Sequence, residues 1–196
     1  MAWEPDYITD AELRHEIKDD DATAADLARW KTAGARAVDG WCHRQFGQVA
    51  TVEVREYETV YDRRRCVWTA PIDDLQDLTG LIVVAGDETL VVATSTVSGY
   101  RLFPRNNADK GRPFEWIEVP RCGLLTITAL WGWTAVPNPV KLANMMQSHR
   151  FASRRDSVYG VAGSPSEGSE VRLLARLDPD VQVILGKRYR RERWVA

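Results

Sequence analysis

The sequence predicts an α+β protein: a small α-helical bundle, built from N- and C-terminal helices, with an inserted antiparallel β-domain. Three observations predict it. Capped starts and helical apolar spacing fill residues 1–48, short alternating runs with turn chemistry fill 49–133, and capped helix starts return over 134–186. The remaining residues, 187–196, read as a basic C-terminal docking tail without a core-facing period.

The first helix is announced by Thr9, a capping residue with Glu12 as its capping-box partner and Ile8 and Leu13 as a hydrophobic staple. Asp19-Asp20-Asp21 ends it. Thr23 and Asp26 open a second helix in which Leu27, Trp30, Gly34, Val38 and Trp41 recur at helical spacing. Its many alanines suit close approach by another helix, and it is expected to run to about Cys42. Strands are predicted at 51–55, 81–85, 89–93, 100–103, 115–119 and 124–130, with Gly86-Asp87-Glu88 closing a hairpin and 104–113 as a loop. Asn138 with Pro139 starts a third helix whose predicted inner face is Leu142, Met145, Met146 and His149. Residues 160–168 read as a surface loop, and 171–177 as strand or helix. Asp178-Pro179 opens a last helix with Val181, Ile184 and Leu185 inward, ended by Gly186.

At 196 residues and 44% hydrophobic, the chain is long and apolar enough to build a core without staples. No apolar run nears the ~20 residues that span a bilayer, and the start MAWEPDYITDAEL has no secretory character. A protein that neither crosses membranes nor follows the usual export route is therefore expected. Three scattered cysteines (Cys42, Cys66, Cys122) suit a reducing compartment. The net charge is −2, unevenly spread: residues 1–30 hold nine acids and three bases, residues 141–196 eleven bases and six acids. Such ends either meet different partners, attract each other between subunits, or simply keep the chain soluble.

Catalytic and ligand chemistry lacks its usual residues. Adjacent Cys42 and His43 point apart on a helix, and no CxxC, HExxH, GxSxG, P-loop or GxGxxG occurs. Asp73, Asp74 and Asp77 follow Pro71 and read as turn acids rather than a cation site. No enzyme activity, cofactor or metal is expected. Trp131 and Trp133, two apart in a strand, share one face and are expected to pack. A saccharide-binding β-module using Trp116, Trp131 or Trp133 is the minor alternative. The tail combines Lys187, Arg188, Arg190, Arg191 and Arg193 with Tyr189 and Trp194. It reads as a solvated terminus, as an interface anchor rich in Arg and Trp, or as a DNA-binding arm.

Several segments together carry a resemblance: ARAVDGWCHRQFG (residues 35–47); YRLFP and GRPF in the middle; TALWGW (128–133); FASRRDS followed by GVAG; and RLDPDV (176–181). In order and spacing they are similar to head–tail adaptor (connector) proteins of siphovirus-type tailed bacteriophages, especially of phages infecting actinobacteria. The likeness runs from about residue 8 to 191. It implies a helical bundle that forms a dodecameric ring under the portal protein, extends the double-stranded DNA channel without sequence-specific binding, and meets a stopper or tail-completion protein. It places the protein in the virion neck, assembled in the host cytoplasm, and assigns portal docking to the region of Lys187, Arg188, Tyr189, Arg190, Arg191, Arg193 and Trp194. Arg154 and Arg155 lie in a family-like stretch, and with Asp19, Asp20 and Asp21 they are the groups expected between subunits.

Overall fold

The computed structural model describes residues 4–19, 21–92, 99–155, 161–162, 171–172 and 177–191. The chain divides into two compact units. One runs through Phe46 and resumes at Val136; the other is Gly47–Ala135. The β-segment thus extends two residues beyond the divisions expected at 48/49 and 133/134 at either end.

Four helices, α1 (Asp10–Ile17), α2 (Ala24–Cys42), α3 (Asn138–Ser153) and α4 (Pro179–Tyr189), build the first unit. At α1 the capping box forms as its sequence dictates: the Glu12 amide donates to Thr9 Oγ1 at 3.2 Å, and the Thr9 amide to Glu12 Oε2 at 2.6 Å. Ile8, Leu13, Ala22, Leu27 and Trp30 then form one buried cluster, with Met145 and Phe151 packed against it. Thr23 caps α2 through the Asp26 amide. Helix α3 departs from expectation at its start and on its inner face. Pro137, without a side-chain cap, is the N-cap, which makes Asn138 the first helical residue. The buried face is Val140, Ala143, Asn144, Gln147 and Ser148, whereas Leu142 and His149 are exposed. Gly34 explains the inversion. A Cβ there would clash with Ser148 Oγ and Asn144 Oδ1, so α2 and α3 touch at a glycine and only small or bonded polar side chains fit beneath it. Ser148 Oγ donates to Asn144 Oδ1 at 3.0 Å in that contact. Two-residue strands β9 (Val161–Ala162) and β10 (Val171–Arg172) pair antiparallel between α3 and α4. The rest of 160–168 and 173–176 lies outside the described residues.

The second unit contains two four-stranded antiparallel sheets. Sheet I has the order β1 (Glu53–Glu58), β8 (Leu124–Ala129), β4 (Ile82–Ala85), β5 (Glu88–Leu90). Sheet II has the order β2 (Val60–Asp62), β3 (Val67–Leu75), β7 (Phe114–Val119), β6 (Arg101–Phe103). The hairpin predicted at 81–93 forms, with Gly86 at φ 61° in the turn. Strands β2 and β3 were not predicted. Pro71 and two aspartates interrupt the apolar pattern of β3, yet Pro71 is exposed and the register shifts between Pro71 and Leu75, where the strand stops pairing regularly with β7. Val83, Leu125 and Ile127 of sheet I and Ala70, Ile72 and Ile117 of sheet II are buried.

Candidate docking surface of the helical unit

The end of α2 organises the most distinctive surface of this unit. A helix leaves its last carbonyls without partners, and the segment after α4 supplies one: the Arg191 amide donates to the Cys42 carbonyl at 2.7 Å. Arg190 lies with its guanidinium 4.9 Å from the Trp41 ring centroid, and its Nη2 is 3.4 Å from His43 Nε2. Tyr189 is buried and meets Phe46 edge-on at 6.1 Å; Phe46 meets Tyr7 in the same way at 5.9 Å. Arg188 lies over the Tyr189 ring, and Lys187 and Arg188 are exposed.

This corrects two expectations. Gly186 interrupts α4 but does not end it. At φ 50° and ψ −160°, a combination essentially restricted to glycine, it redirects the chain into a further helical stretch that reaches Tyr189. The segment also has a core-facing period, because Val181, Leu185 and Tyr189 follow one another at four-residue spacing and all three are buried. Of the seven residues predicted to bind a portal, Tyr189 is therefore packed inside its own unit. Lys187, Arg188, Arg190 and Arg191 surround it, and Arg193 and Trp194 lie outside the described residues.

Beneath this surface is a polar cluster that local sequence did not reveal. The Tyr7 hydroxyl donates to Asp39 Oδ1 in a short bond and accepts from the Phe46 amide at 2.9 Å. Arg36 Nη2 reaches Asp39 Oδ2 at 3.1 Å and the Pro5 carbonyl at 2.8 Å. Burial pushes the Asp39 carboxyl up to about 6, against the opposing pull of the Tyr7 hydroxyl and Arg36. Burial, reinforced by the Asp39 charge, also holds the Tyr7 phenol well above its ordinary value. Burial pushes the Cys42 thiol up to about 12, which leaves it neutral and unreactive at physiological pH. The cluster ties the chain start to the end of α2 and presents no activated nucleophile.

Two of the groups expected between subunits, Arg155 and Asp19, meet within one chain. Arg155 Nη2 bonds Asp19 Oδ2 at 3.1 Å and lies over the Trp30 ring. Packing of α1 on α3 brings these two helix ends together across 136 positions of sequence. The Asp21 amide donates to Asp19 Oδ1, and Arg154 is the C-cap of α3. Asp20 lies outside the described residues.

In the β-unit the aspartates after Pro71 belong to strand β3 and its exit, with structural partners. Asp73 accepts from Arg55 at 2.8 Å and from the Tyr57 hydroxyl at 2.9 Å, Asp74 accepts from Trp133 Nε1 at 2.8 Å, and Asp77 accepts from the Thr79 amide at 2.9 Å. Trp131 and Trp133 lie beyond the end of β8 and are buried, Trp131 donating to the Glu53 carbonyl, so neither is available to stack on a sugar. Among the described residues no group of three or more His, Cys, Asp or Glu is placed to hold a metal ion, and no helix is long and apolar enough to cross a membrane. Neither a protein-family model nor a curated protein matches the chain.

Proposed function

We propose that this chain is a non-catalytic structural protein of a phage particle. In this reading it is a head–tail adaptor whose copies form a dodecameric ring beneath the portal, extend the channel for double-stranded DNA and meet a stopper or tail-completion protein. The observation that carries the reading is the anchoring of the basic segment. Tyr189 against Phe46 and the Arg191 amide on the Cys42 carbonyl hold it at the end of α2, so the residues that follow begin from a fixed point on the folded unit. A clasp that starts from a fixed point loses less conformational freedom on docking than a free tail does. The ordered likeness across residues 8 to 191 supports the same reading. So does a helical unit assembled from both parts of the chain that flank the β-unit. A DNA-binding arm is the weaker reading, because Arg188 and Arg190 lie over aromatic rings of their own chain.

Two truncations test it. Removing residues 192–196 takes away Arg193 and Trp194 but leaves Tyr189 and the Arg191 cap in place. The expected result is an unchanged thermal melt together with loss of attachment to portal-containing heads. Removing 187–196 also destabilises the fold. Infectious particles assembled from the chain that lacks only 192–196 would overturn the assignment.

A further inference from the structure

The β-unit keeps its charges apart. Of its nine Lys/Arg, seven fall in residues 60–72 and 101–119, which hold most of sheet II, against four Asp/Glu; the rest of the unit has two Lys/Arg against eight Asp/Glu. The cationic part has a defined tip. In the turn between β2 and β3, Asp62 Oδ1 accepts from the Arg64 and Arg65 amides at 2.9 and 3.2 Å, and Arg63, Arg64 and Arg65 are exposed. Arg65 bonds Glu118, and its guanidinium lies 4.9 Å from the Phe103 centroid; that of Arg105 lies 5.3 Å from the same ring, which stacks on Trp116. Among the described residues no carboxylate pairs with Arg63, Arg64 or Arg105. Cations gathered this closely repel one another, and an anionic partner relieves the repulsion.

Sheet I offers the counterpart. On the face opposite buried Val83, Leu125 and Ile127, the strand register sets Val54, Thr128 and Ile82 side by side, then Glu56, Thr126 and Val84, then Glu58 beside Leu124. Val54, Ile82 and Leu124 are 63%, 49% and 48% exposed. Glu56 and Glu58 are exposed too, and among the described residues neither is paired with a cation. Arg121, which precedes β8, is held by Glu88. A β-branched face whose Glu56 and Glu58 lack a cation, and an arginine tip whose Arg63 and Arg64 lack a carboxylate, among the described residues, are complementary in charge, and both occur on every copy.

We propose that these are the two halves of one contact: the Arg63–Arg65 tip of one copy seats on the outer face of sheet I of a second copy. Glu56 and Glu58 receive the guanidiniums, and Val54, Ile82 and Leu124 pack under the arginine stems. Unlike surfaces meet, so the contact is heterologous and repeats from copy to copy, as a ring requires. The proposal rests on the self-assembling reading above and names the surface through which copies join.

The test is a charge swap in the full-length chain, read by sedimentation velocity at low ionic strength. Wild type is expected to associate, and to dissociate as salt rises. Glu56→Arg with Glu58→Arg, or Arg63→Glu with Arg64→Glu, is expected to leave monomers with unchanged melting temperature. An equimolar mixture of the two variants is expected to recover association, because each reversed surface then finds a reversed partner. Monomeric wild type at low salt, variants that associate like wild type, or a mixture that stays monomeric would each overturn the proposal. The truncation at 192–196 judges the adaptor reading separately: a failed swap with truncation-sensitive head attachment removes only the β-unit contact.

Discussion

The two units handle charge in opposite ways. In the helical unit, Lys31 bonds Asp6 and Asp10, Arg36 bonds Asp39, Arg150 bonds Asp178 and Arg155 bonds Asp19. Its acidic first thirty residues and basic last third, which look like surfaces meant for different neighbours, partly neutralise each other inside one chain. In the β-unit nine Lys/Arg stand against twelve Asp/Glu, and among the described residues Arg63, Arg64, Glu56 and Glu58 remain unpaired on separate surfaces. A charge count along a sequence therefore locates charge, whereas only pairing tells which charge is left for a partner.

The units also differ in how they are locked, and substitutions can separate them. The largest effect is expected for Gly132→Ala. Gly132 sits at φ 107°, donates to the Asp74 carbonyl at 2.6 Å, and has no room for a Cβ beside the Gly47 carbonyl. Backbone strain and steric clash together are expected to cost more than about 3 kcal/mol. The loss should appear as exchange of the protected amides of β1, β3 and β8, with the helical amides spared. Tyr189→Ala reverses the pattern: emptying a buried aromatic site costs about 3 kcal/mol, and denaturant unfolding together with amide exchange should place the loss in α2 and α4. Gly34→Ala is expected to cost about 1–3 kcal/mol, because Ser148 can turn aside but the Asn144 backbone carbonyl cannot. Its measure is the denaturation midpoint, and an unshifted midpoint would mean that α2 and α3 are not in contact at Gly34.

The smallest effect is one of pH. Because burial lifts the Asp39 carboxyl from 3.8 to about 6 in the folded chain, its stabilising contribution is fully present below about pH 3.8 and is lost as pH rises through about 6. Wild type should therefore lose stability relative to Asp39→Asn across that interval. Melting temperatures of both proteins at pH 4 and pH 7 test this, and a difference that does not change with pH would contradict it.

What could be read from the sequence was what is decided locally. The Thr9–Glu12 capping box and the Thr23 cap involve residues three apart, and both formed as expected. Strand β3 was missed because its acids are satisfied from far away: Asp73 by Arg55 and Tyr57, Asp74 by Trp133, 59 positions on. The inner face of α3 was misread because polar Asn144, Gln147 and Ser148 go inward where Gly34 admits them, which no apolar period could signal. Gly186 concealed the Val181–Leu185–Tyr189 spacing by resembling a helix end. At the candidate surface the basic residues were visible in the sequence, but their attachment to Trp41, Cys42 and Phe46 was not. The arginine run 63–65 was equally plain to see, and it had no place until the strands on either side of it were known.

The excursion from Gly47 to Ala135 has a consequence for biosynthesis. Gly34 and its partner Asn144 are 110 residues apart, so α2 leaves the ribosome well before the helix that closes over it. At translation rates of roughly 5–20 residues per second that interval is about 5–20 s. The nascent polypeptide must hold a half-finished bundle, the α2 face of Leu27, Trp30, Gly34, Ala35 and Val38 open to water and to chaperones, while a complete β-module is threaded out behind it.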